Sequence, residues 1–107
     1  MKCFVTFRLK SGVSPEQYEA WFRATNVPAV AGMRSLSSYR VWRTTGAAEG
    51  EPPYDYIEEM EFDSQEEFDR EVGELPEMAA MLEGWHERVG GHAIVYAVEV
   101  AQTAGAD

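Results

Sequence analysis

The sequence predicts an α+β fold: a four-stranded antiparallel sheet with two helices on one face, in the order β-α-β-β-α-β. Three observations carry that prediction. Three segments place their side chains on two faces at the period of two that marks a strand, and a fourth, over residues 92–100, is rich in Ile, Val and Tyr. Two segments open on a serine cap and continue with apolar residues three and four apart, the period of a helix. The 107 residues, 45% of them hydrophobic, suffice for one two-layer core and not for two.

The strand over residues 2–9 places Cys3, Val5, Phe7 and Leu9 on one side and Phe4, Thr6 and Arg8 on the other. Ser11-Gly12 turns the chain. Ser14-Pro15-Glu16-Gln17 then starts a helix. Serine caps it, proline sits at the first position, where no N–H is needed, and Gln17 completes a capping box. Tyr18, Trp21, Phe22 and Thr25 share one face, and Pro28 predicts an end or a kink near Asn26, then a short turn over Val27 to Met33. Residues 35–44 read as the second strand, with Leu36, Ser38, Arg40, Trp42 and Thr44 opposed to Tyr39, Val41 and Arg43. After an acidic loop from Gly46 to Pro53, residues 54–62 read as the third, with Tyr54, Tyr56, Glu58, Met60 and Phe62 on one face. Ser64-Gln65-Glu66-Glu67 is a second capping box. Behind it, Phe68, Val72, Leu75, Ala79, Leu82, His86 and Val89 form one helical stripe, which Pro76 predicts to break near Gly73 to Leu75 and restart. Gly90-Gly91 stops the helix, and residues 92–100 read as the last strand. The organisation expected is one domain over residues 1–100 and a frayed tail over residues 101–107.

This order is the ferredoxin-like split βαβ pattern. The strands are apolar on both faces, so a second sheet is expected to cover the face the helices leave open. A symmetric homodimer with sheets packed face to face would do so.

Nine Lys and Arg against 19 Asp and Glu give a net charge of −10, which argues against a nucleic-acid or anionic-membrane partner. No apolar run is long enough to span a bilayer, and the N-terminus lacks a signal-peptide core. The single cysteine, Cys3, excludes an intrachain disulfide and a cysteine-rich zinc site. The expectation is a soluble cytoplasmic protein. No GxSxG, P-loop, dinucleotide-binding fingerprint or HExxH is present, and the two histidines lack ligand spacing. The reading therefore has no metal and no cofactor.

Several stretches carry a resemblance: Val13-Ser14-Pro15-Glu16-Gln17-Tyr18-Glu19-Ala20-Trp21, Asn26-Val27-Pro28, Tyr39-Arg40-Val41-Trp42-Arg43-Thr44-Thr45-Gly46 and Pro52-Pro53-Tyr54-Asp55-Tyr56-Ile57-Glu58. With these the chain resembles the dimeric α/β-barrel superfamily and, within it, the RedY-like proteins of prodiginine biosynthesis, over roughly residues 2–100. The resemblance implies a small natural-product tailoring enzyme or a binder of aromatic intermediates.

Three ionisable residues are candidates for chemistry. His86, on the apolar stripe, would take a proton near neutral pH, or would be a structural histidine favoured by the helix C-terminus. Glu58, on an apolar strand face, needs a partner. Arg40 is the natural one, either as a cross-strand ion pair or as a substrate anchor beside a base of raised pKa. Tyr18, Trp21, Trp42, Tyr56 and Trp85 would stack on a planar ligand, with Asn26 bonding its oxygen, or would serve as core and surface packing.

The first reading is a cofactor-independent cyclase or condensing enzyme. His86 or Glu58 deprotonates a pyrrole, indole or polyketide-derived intermediate, and Arg40, Tyr18 or Asn26 holds the oxyanion. The alternatives are a cofactor-free monooxygenase of electron-rich rings, a related haem-holding barrel, a non-catalytic binder and a bare scaffold.

Overall fold

The computed structural model describes residues 1–105. Its four strands are β1 (Lys2–Leu9), β2 (Leu36–Arg43), β3 (Tyr56–Phe62) and β4 (Val89–Ala97). They form one sheet in the order β2-β3-β1-β4, every neighbouring pair antiparallel. The fold is ferredoxin-like α+β, with the helices over one sheet face.

Alternation decides which face that is. Cys3, Val5 and Phe7 of β1 and Tyr56, Glu58, Met60 and Phe62 of β3 are buried against the helices. They join the core that Tyr18, Met78, Met81 and Trp85 complete from above. The opposite sheet face carries Phe4, Thr6, Arg40, Trp42, Ile57, Glu59 and Val95.

Helix α1 (Pro15–Trp21) starts at the Ser14 cap with both bonds of the box: Gln17 N–H donates to Ser14 Oγ at 3.1 Å, and Ser14 N–H to Gln17 Oε1 at 3.0 Å. The helix does not end before Pro28. It widens into a π-helical turn over Phe22–Asn26 and continues as α2 (Val27–Ala31). The wider turn gives the proline ring room where an α-turn would clash with the carbonyl four residues back. It also rotates the stripe by one position. Asn26 is 2% exposed, whereas Thr25, expected on the inner face, is exposed.

Ser64 caps α3 (Gln65–Glu74), Leu75 is extended, and Pro76 opens α4 (Pro76–Arg88), so the break falls where the proline predicts it. The restart changes the helical phase. Met78, Met81 and Trp85 are buried in α4, while Ala79 and His86 are exposed and Leu82 is partly so. The continuous stripe expected through His86 thus runs one position away from the buried one. The helix stops at Arg88, not at the glycines. Gly90 and Gly91 lie within β4, which begins at Val89 and ends at Ala97.

Tyr54 and Asp55 precede β3, and Asp55 serves the backbone by accepting from Leu9 N–H at 2.9 Å. Among the described residues no helix is long and apolar enough to cross a membrane. Residues 101–105 are exposed and without regular structure, and the rest of the expected tail, residues 106 and 107, lies outside the described residues.

Candidate functional site

Between the sheet and the helices lies a cavity of about 100 Å³, with Glu58, Tyr39 and Asn26 as its polar lining and Trp85 among its walls. Four of the chain's five methionines, Met33, Met60, Met78 and Met81, also line it. Their unbranched thioethers give a wall that can change shape at small cost.

Glu58 sits mid-sheet, opposite Val41 on one side and Val5 on the other. It is 7% exposed, and its Oε1 has no hydrogen-bond partner. Arg40 is not its counterion. Adjacent strand residues face opposite ways, so Arg40 pairs in register with Glu59 on the far face, where Lys2 Nζ already binds Glu59 at 2.7 Å. Burial without a cation pushes the Glu58 carboxyl up to about 7.

The neighbouring Tyr39 hydroxyl is committed elsewhere. Tyr39 donates to Asn26 Oδ1 at 2.9 Å, and Asn26 Nδ2 contacts Met81 Sδ at 3.2 Å. The π-turn delivers Asn26 to this position. Tyr39 was not among the candidates from sequence, although its alternation with Val41 marks it as an inner-face residue once β2 is known to lie under the helices.

Tyr18 is fully buried against Phe7, Tyr56 and Phe22, and its hydroxyl has no partner; nor has Trp85 Nε1. Burial first, then the Glu58 charge, raise the Tyr18 phenol, and the indole N–H of Trp85 draws it back.

The remaining sequence candidates lie elsewhere. Tyr56 is in the core, but its hydroxyl leaves the cavity and donates to Glu19 Oε2 at 2.7 Å, a carboxylate that also meets Arg43 at 3.3 Å. Trp21 packs under the Arg88 guanidinium, 4.6 Å from its ring centre. Arg40 and Trp42 are exposed on the far face of the sheet, and Trp42 is 51% exposed. His86 is exposed on the outside of α4, edge-on to Trp85 and 5.8 Å from His92, ring to ring, so it does not face the cavity. Among the described residues no group of three or more His, Cys, Asp and Glu is placed to hold a metal ion.

A family model described as REDY-like protein HapK matches residues 1–100. Among solved structures, At3g17210 from Arabidopsis thaliana is 17% identical with a TM-score of 0.76, covering 95% of this chain and 98% of its own. HapK from Hahella chejuensis is 17% identical with a TM-score of 0.71, covering 98% and 100%. A dimeric ferredoxin-like protein of unknown function from Thermobifida fusca is 23% identical with a TM-score of 0.72, covering 91% and 89%. No curated protein sequence matches this chain. These likenesses bear on the fold.

Proposed function

The chain belongs to the REDY-like HapK family, and we propose that it is a cofactor-independent cyclase or condensing enzyme acting on a planar aromatic intermediate of natural-product biosynthesis. One observation carries the reading. A carboxyl group without a cation lies in a mostly apolar cavity and titrates near neutrality. Such a group is half ionised at working pH and poorly solvated, which suits a general base.

Glu58 takes a proton from an acidic ring position of the substrate. The electron pair left behind attacks an electrophilic carbon, closing a ring or joining two units, and the carboxyl returns its proton to the oxygen or leaving group. Tyr39 and Asn26 orient the substrate edge, and the methionines follow its outline. His86 and Arg40 have no part in this step.

The protein acts as a homodimer in this proposal. Phe4, Trp42, Ile57 and Val95 give the open sheet face an apolar character, and a relative is described as dimeric. The sheets of two copies would cover each other.

The test is incubation with electron-rich aromatic intermediates, with and without oxygen, following product mass. Product formed equally without oxygen by the wild type and lost in Glu58→Gln supports the proposal. An absolute oxygen requirement, or full turnover by Glu58→Gln, refutes it.

A further inference from the structure

His86 closes α4 and His92 lies near the start of β4, and the passage from helix to strand at Val89 brings their rings together. The ring centres are 5.8 Å apart. Both residues are exposed, and both rings sit edge-on to the buried Trp85, at 5.2 and 5.1 Å. His92 pairs in register with Phe7, so it shares the helix side of the sheet with Ile94. The open face proposed to meet a second copy carries Ala93 and Val95 instead, and the histidine pair lies outside that interface.

Imidazoles are favoured ligands of zinc, nickel and copper. With a metal–nitrogen bond of about 2.1 Å and the ring centre about 1.1 Å beyond the nitrogen, two bound rings have centres roughly 5.2 Å apart at the tetrahedral angle and about 6.4 Å apart when opposed. The observed 5.8 Å falls inside that range. We infer that His86 and His92 form a two-histidine site for a divalent transition metal on the seam between α4 and β4. The exposed rings turn about their side-chain bonds to aim one nitrogen each at the ion, and Trp85 limits how far they part. Among the described residues no third His, Cys, Asp or Glu completes a cluster, so water takes the remaining positions. The net charge of −10 favours a cation. Arg88, the nearest cation in sequence, is engaged by the Gly84 carbonyl at 2.8 Å and by the Trp21 ring.

The site adjoins the cavity. Leu82 and Trp85 of α4 and Ile94 of β4 line that cavity. His86 follows Leu82 by one helical turn, and His92 precedes Ile94 by one step on the same strand face. A metal held by both histidines ties the helix to the strand beside the cavity wall, and its binding stabilises the folded state by mass action.

The experiment titrates ¹⁵N-labelled protein with Zn2+ and, separately, with Cu2+, followed by NMR. We expect Zn2+ to shift the ring nitrogens of His86 and His92 together, in a saturable way, and to raise Tm. Cu2+, whose unpaired electron broadens nearby signals, should erase the Trp85 indole N–H before that of Trp42 on the far face of the sheet, and should bind more tightly than Zn2+. His86→Asn and His92→Asn, both at exposed positions, should each lose the ring shift and the rise in Tm while keeping the metal-free Tm of the wild type. Saturable binding that survives in either variant overturns the inference, because the ion then sits on carboxylates. So does a ring shift confined to one histidine. Sedimentation with and without Zn2+ gives the last check: association that needs the metal would mean that each ion joins histidines of two copies, and that result also overturns the inference.

Discussion

Replacing Glu58 by glutamine keeps the side chain's shape and deletes its charge, so the change in stability measures what burying that charge costs. A carboxyl raised from 4.5 to about 7 on folding corresponds to about 3 kcal/mol at 1.36 kcal/mol per pH unit. The folded state holds its proton above the pH at which the unfolded chain has released it. The stability due to the neutral carboxyl is therefore fully present below pH 4.5 and is lost as pH rises through 7. Integrated between pH 5 and pH 8, the loss is about 2.5 kcal/mol. The glutamine amide brings its own unpaired N–H2, a cost that is the same at both pH values. Urea denaturation of wild type and Glu58→Gln at pH 5 and pH 8 separates the two effects. The variant should gain about 2.5 kcal/mol on the wild type between the two pH values, enough to raise its relative Tm by roughly 10–20 °C in a domain of this size. A difference between the proteins that does not change with pH would refute the claim that Glu58 is buried without a counterion.

Asn26→Leu removes the acceptor that holds the Tyr39 proton, freeing that hydroxyl to donate to Glu58; the carboxyl midpoint should fall towards the ordinary carboxylate range, read from ¹³C NMR of the Glu58 side chain. Gly84→Ala would set a Cβ 2.8 Å from Trp21 Cζ2, and the packed α1–α4 contact should lose about 1–3 kcal/mol in urea denaturation. Trp42→Asp places a charge on the open sheet face and should convert a dimer to a monomer in sedimentation, with little change in the Glu58 midpoint. Ser64→Ala deletes the cap on α3, where Glu67 N–H donates to Ser64 Oγ at 3.2 Å, and should cost about 1 kcal/mol.

The fold was legible because its signals are local. Period-two strands, two serine caps and the Pro76 break each act within a few residues, and together they specify the order of elements. What failed was phase. The π-turn adds a residue per turn before Asn26, and the extended Leu75 resets α4, and neither appears in a hydrophobic count. The reset at Leu75 makes Trp85 the buried residue in place of its neighbour His86, which the sequence pattern put on the inner stripe. The Arg40–Glu58 pairing failed for a related reason, since strand neighbours one position out of register lie on opposite faces. Glu58 itself was legible as a carboxylate among apolar residues on one strand face. Tyr39 was not, because its importance comes from a hydrogen bond to Asn26 across 13 residues that no local pattern encodes.

Glu58 as a buried, unpaired carboxyl is the claim on which the rest depends. Its titration can be followed directly from the side-chain carboxyl carbon by ¹³C NMR, with Glu58→Gln identifying the signal. The account predicts a midpoint near 7; a midpoint in the ordinary carboxylate range, between about 4 and 5, would contradict it.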